Sequence, residues 1–138
     1  MSAAVLDWRS LETFSFGDNP VLAEELAQLV LAGKKTATCW SVEDGTTTQV
    51  GKHMVMLDGA GRPRAVIETV ELTQRRFDEV DAAFAFDEGE NDRSLDDWRR
   101  AHERYFTRLG QFAVDMMLYC ERFRVVAVFS GTPPPTRA

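Results

Sequence analysis

The order of apolar and polar positions divides this chain into short elements. Phe14 and Phe16 flank a serine, which suits a brief strand. Gly17-Asp18-Asn19-Pro20 then forms a turn, with Asn19 as N-cap and Pro20 as first helical residue. Leu22, Leu26, Leu29 and Val30 recur at helical spacing, with Glu24, Glu25 and Gln28 on the other side, and Gly33 ends that helix. Thr36 to Val42 is rich in β-branched and aromatic residues and reads as a strand. Glu43-Asp44-Gly45 and the threonines after it read as a long hairpin loop, closed by Val50-Gly51, into a second strand, His53 to Leu57. A turn over residues 58–63 leads into a β-branched run from Arg64 to Leu72, where a regular strand puts Glu68 on one face with Val66, Val70 and Leu72. A carboxylate there needs a partner.

Phe77-Asp78 opens a short helix to about Ala85, followed by an acidic loop from Asp87 to Asp92. Ser94 and Asp97 form a capped helix start, and Leu95, Trp98, His102, Tyr105, Phe106 and Leu109 make an aromatic stripe on the helix they open. Val114 to Tyr119 and Phe123 to Phe129 read as two strands around Cys120-Glu121-Arg122. Residues 1–13, with Trp8, read as an arm or short helix. Strands interrupted by three helices without regular alternation predict an α+β fold, a small mixed β-barrel with flanking helices. Residues 1–130 are expected to form one domain and residues 131–138, with three consecutive prolines, a disordered tail.

Composition narrows the function classes. The 138 residues suffice for one domain with its own core. No apolar run reaches membrane-spanning length, and no signal-peptide pattern opens the chain, so a cytoplasmic protein without membrane partners is expected. Cys39 and Cys120 are far apart and lack metal-ligand spacing, which favours buried free thiols over a disulfide or zinc site. A net charge of −6 argues against coating nucleic acid by general electrostatics but allows a locally basic cleft.

The candidate chemistry centres on Gly33-Lys34-Lys35-Thr36-Ala37-Thr38. Lys34 should lower the proton affinity of Lys35, making it a base for the Thr38 hydroxyl. In a straight strand the two side chains leave on opposite faces, so the pair requires a bend. Local spacing by itself favours a plainer explanation: the lysines cap a helix C-terminus and the threonines fill strand positions. Glu88 and Glu90 offer a carboxylate to orient the lysine or shuttle its proton, but lack calcium-loop spacing. His102 and His53 have no third ligand nearby in sequence, so no metal and no cofactor are expected. Arg62, Arg64, Arg75 and Arg76 could line a sheet edge, with Trp40 or Phe77 as a stacking platform for a base.

Six segments in order, Phe16-Gly17-Asp18, Leu31 through Thr38, Val66-Ile67-Glu68-Thr69, Glu88-Gly89-Glu90, Ser94-Leu95 with Trp98 and His102, and Cys120-Glu121-Arg122-Phe123, resemble the ASCH domain over roughly residues 14–126. The resemblance implies a PUA-like barrel with a cleft for RNA or a modified nucleoside. Small members of that family are amidohydrolases that remove acetyl from 4-acetylcytidine; others are ribonucleases or RNA-binding modules. Carried over by motif, the catalytic residues fall on Lys35, Thr38 and Glu90, with Glu88 as the alternative glutamate. Substrate contacts are expected from Lys34, Thr36, Trp40, Arg64, Glu68 and Glu88, although Trp40 stands where the small amidohydrolases carry a basic residue. The expected partner is a modified nucleoside or RNA, and monomer and homodimer both remain open.

Overall fold

The computed structural model describes residues 8–129. After a short 3-10 turn at Trp8–Ser10, the chain forms β1 (Glu12–Ser15), α1 (Pro20–Leu31), β2 (Ala37–Ser41), β3 (His53–Leu57), β4 (Pro63–Arg76), α2 (Ala82–Glu88), α3 (Leu95–Arg108) and β5 (Met117–Val128). The helix starts follow from the caps: Asn19 accepts from the Leu22 amide and Ser94 from the Asp97 amide, each satisfying a donor that a first turn leaves open. The expected disordered tail lies outside the described residues.

The five strands make one mixed sheet in the order β1-β3-β4-β5-β2, a half-barrel with the three helices around it. β1 runs parallel to β3; the other pairings are antiparallel. The expected hairpin between β2 and β3 does not form. β2 pairs with β5 instead, so the 42–52 connection carries the chain from one edge strand to the interior of the sheet. The two C-terminal strands are one, because Cys120-Glu121-Arg122 pairs with β2 on one side and β4 on the other. The helix expected from Phe77 splits into a 3-10 turn at Phe77–Glu79 and α2, which runs on through Asp87 and Glu88.

Alternation along β2 and β5 divides the interior between two cores. Ala37, Leu118 and Cys120 face Phe84, Trp98 and Phe106 of α2 and α3. Phe16, Met56, Ile67 and Phe123 instead pack under Leu26, Ala27 and Val30 of α1. Register shifts at Val66/Ile67 and Thr69/Glu71 break the parity of β4. Val66 is therefore buried while Val70 is exposed, and the shared face expected for Glu68 does not hold. Glu68 instead pairs with Arg124 and lies 3.9 Å from His53.

Candidate active site

Gly33, at φ 79°, ends α1, and the turn after it tucks the side chain of Lys35 inward while Lys34 stays exposed. Lys35 is 1% exposed. Its Nζ donates to Glu88 Oε1 at 2.9 Å, Glu90 Oε2 at 2.8 Å and the Ala37 carbonyl at 2.9 Å, with the Glu88 carbonyl at 3.3 Å. All three ammonium protons thus have acceptors. Burial alone would push this lysine's pKa down, but Glu88 and Glu90 more than reverse that and raise it well above the ordinary value. The expectation of a neutral lysine depressed by Lys34 is therefore corrected: the buried Glu88 and half-buried Glu90 carboxylates hold the ammonium charged. The expected Lys35–Thr38 contact does not form among the described residues: the ammonium protons go to Glu88, Glu90 and the Ala37 carbonyl, and no hydrogen bond joins Lys35 to Thr38.

Glu88 is fully enclosed. Its second oxygen accepts from Trp98 Nε1 at 3.1 Å and lies 3.6 Å from His102 Nε2. His102 stacks on Trp98 at 4.3 Å and, since a carbonyl only accepts, donates Nδ1–H to the Trp98 carbonyl at 2.9 Å. Burial would raise the Glu88 carboxyl, but Lys35 and then His102 hold it at about 2. This depressed acid contributes stability that is complete above its ordinary value of 4.5 and is lost as pH falls through about 2. Urea midpoints measured along that range should fall, and Glu88→Gln should flatten the fall.

The loop that brings Glu90 back to Lys35 is strained. Gly89, Asn91 and Arg93 have φ of 74°, 55° and 68°. Arg93 clamps the loop by donating to the carbonyls of Phe86 and Lys34. A Cβ on Gly89 would fall inside the van der Waals shell of the Lys34 carbonyl and against the Lys35 backbone. Gly89→Ala combines left-handed strain of roughly 1–2 kcal/mol with that backbone clash. It should lower the urea midpoint by at least that equivalent and detach Glu90 from Lys35; an unchanged midpoint would refute the close approach.

The cleft lies along the seam between the two edge strands, β1 and β2. One chamber, about 260 Å³, is lined by Phe16, Leu22, Glu25, Thr38, Cys39, Glu88, Glu90, His102, Arg104, Tyr105 and Arg108 among others. A second, about 370 Å³, runs between Phe14-Ser15-Phe16 and Thr38-Cys39-Trp40 over a floor of Met54, Ile67 and Glu121, under the 44–48 loop. Thr38 and Cys39 border both. The seam therefore brings Thr38, Trp40, Glu88 and Glu90 to one cleft, with Lys35 packed behind the glutamates.

Other expected contacts lie elsewhere. Arg64 is held by buried Asp58 at 3.1 Å, which also binds Arg62. Arg75 and Arg76 pair with Asp81 and Asp78. The expected arginine edge is thus already neutralised by local carboxylates, and Arg64 and Glu68 do not line the cleft. Thr36 is exposed beside the Asp87 carbonyl, and Lys34 is exposed on the same turn. Glu121, which the sequence reading passed over, is the addition: it is 6% exposed and lines the second chamber. Its signal is a carboxylate inside a motif segment, between Cys120 and Arg122 in a β-rich run.

Cys39 and Cys120 are free thiols, as expected, and directly opposed across β2 and β5. Burial raises both, with Cys120 pushed up to about 12, so they remain protonated. Cys39, Glu88 and His102 form a group of possible metal-ligand type among the described residues. The donor set does not fit a cation, because Lys35 and Trp98 already donate to the two Glu88 oxygens, one each, and the Lys35 ammonium beside them repels a further positive charge.

The five-strand mixed half-barrel with three helices matches that of PUA-like domains. The ASCH domain family profile matches residues 12–127, and the chain belongs to that family, whose domains are generally RNA-associated. The crystal structure of an ASCH domain from Lactobacillus crispatus JV V101 is 33% identical, with a TM-score of 0.79, covering 92% of this chain and 87% of that one. That of a protein from Enterococcus faecalis V583 is 31% identical, with a TM-score of 0.81, covering 98% and 91%. No match was found among curated proteins. Among the described residues, no helix is long and apolar enough to cross a membrane.

Proposed function

We propose that this protein is an amidohydrolase that removes the acetyl group from the exocyclic amine of 4-acetylcytidine or a close relative. The observation that carries the reading is Thr38 at the junction of two chambers, with Glu90 lining one of them. Charge supports a small neutral substrate over a polyanion: Glu25, Glu88, Glu90, Asp44 and Glu121 line the cleft against Arg104, Arg108 and His102.

Thr38 attacks the amide carbonyl, and Glu90, 22% exposed and fixed through one oxygen, takes the hydroxyl proton. The C–N bond then breaks, Glu90 returns the proton to the leaving amine, and water hydrolyses the acyl-threonine. Lys35 stays charged and positions Glu90 in place of acting as the base. The Phe123 amide donates to the Thr36 carbonyl, which sets the register and turns the Cys39 N–H toward the unpaired edge of β2. That N–H is the backbone donor available to a developing oxyanion.

Incubating the protein with 4-acetylcytidine and following cytidine release tests the reading; absence of turnover above a Thr38→Ala control removes it for that substrate. A second reading, single-stranded RNA bound or cleaved in the same cleft, is favoured by Arg104 at the rim, on a face of α3 that also carries Arg100 and Arg108, paired with Asp97 and Asp18. It predicts binding of short RNA that weakens steeply with salt, and cleavage visible on a gel if the cleft acts on the backbone.

A further inference from the structure

The geometry points to the chamber between β1 and β2 as a pocket for a nucleobase bearing an exocyclic amine or amide N–H, with Glu121 accepting a hydrogen bond from that group. The inference rests on the nucleoside reading above and adds the residue that selects the base.

Three observations carry it. First, the chamber has the make-up of a site for a flat heterocycle. Phe14, Trp40 and Tyr105 form aromatic walls, Met54 and Ile67 an apolar floor, and among the described residues no cationic side chain lines it. A phosphate has no partner there, whereas a neutral ring does.

Second, Glu121 is a buried carboxyl held in one orientation. Thr69 donates its only hydroxyl proton to Glu121 Oε2 at 2.6 Å. The 2.6 Å contact between Thr48 and Thr69 must then run from Thr48 to Thr69. This relay fixes Oε2, and among the described residues Oε1 has no hydrogen-bond partner. Burial raises the proton affinity of the carboxyl, opposed by the Thr69 bond and the charge of Lys35. A carboxylate oxygen without a partner in an apolar setting is a good acceptor for a ligand N–H.

Third, Glu121 lies directly opposite Thr38 across β2 and β5, on the same face of the sheet. An amide nitrogen held by Glu121 therefore brings its acyl carbon toward the Thr38 hydroxyl. Cytidine and its N4-acyl derivatives offer that N–H; uridine presents an oxygen lone pair at the same ring position and opposes the carboxylate.

The test is equilibrium binding of cytidine, uridine and N4,N4-dimethylcytidine to the full chain by calorimetry, with Glu121→Gln as the variant. Wild type should prefer cytidine over both others by roughly ten- to a hundredfold. Glu121→Gln, whose amide can turn either its oxygen or its nitrogen to the ligand, should bind cytidine and uridine within a few-fold of each other. Equal binding of the three by wild type, no binding of cytidine, or an unchanged preference in Glu121→Gln would overturn the assignment. The dimethyl comparison decides the matter in wild type alone if the variant does not fold. Cytidine preference without hydrolysis of 4-acetylcytidine would leave the pocket standing and remove only the hydrolase.

Discussion

Replacing Lys35 with methionine is expected to destabilise the protein by about 3–5 kcal/mol, the cost of stranding a buried charge by removing its partner. Glu88 would lose its strongest partner while remaining 1% exposed, and Glu90 would lose the contact that returns its loop to the core. Methionine matches the length of the lysine stem, so a cavity adds little. Adding Glu88→Gln should recover much of the loss, because a neutral amide can still accept from Trp98 Nε1 and no longer needs an ammonium. Under the proposed chemistry neither variant should regain turnover, since Glu90 is unplaced in both. Urea denaturation with an unchanged slope is the measurement. If Lys35→Met unfolded at the wild-type midpoint, the ion pair would not be the anchor described here.

The largest expected effect on activity belongs to Thr38→Ala. The side chain is partly exposed where it lines the cleft, so the change should leave stability within about 0.5 kcal/mol. Under the proposed chemistry, loss of the nucleophile should lower turnover of 4-acetylcytidine by about a thousandfold or more. Thr38→Ser keeps the hydroxyl and should retain measurable rate. Rapid quenching of wild type should leave one acetyl group on the Thr38 peptide by mass spectrometry, absent from the alanine variant. Full activity of Thr38→Ala would exclude an acyl-threonine intermediate.

Local chemistry made some of this legible in advance. Asn19, Pro20 and Ser94 fix helix starts through contacts within four residues, so their positions follow directly from sequence. The Lys35, Thr38 and Glu88-Gly89-Glu90 segments were recognisable as parts of one arrangement because the family motif orders them. Strand order was not legible, since β2 pairs with a strand about eighty positions later, and nothing local specifies that partner. Bulges in β4 also defeat parity, so sequence alone does not separate Glu68, outside the cleft, from Glu121, in its second chamber. Both are carboxylates within β-rich runs. Only the register, which puts one beside Arg124 and the other beside Thr69 and the cleft, distinguishes them. The charge state of Lys35 was likewise hidden, because it depends on α2 extending two residues into what reads as a loop.

Among the described residues, β1 bonds to β3 and β2 to β5, and the two edges do not bond to each other. Molecules can therefore enter and leave along a gap that no backbone ladder seals. Widening it requires rotamer changes in residues such as Phe14, Trp40 and Tyr105 and movement of the 44–48 loop, while the paired strands stay intact. Opening of the cleft is thus decoupled from global unfolding and is opposed only by the loop's own contacts, Trp40 Nε1 to the Gly45 carbonyl and Thr48 to Thr69 among them.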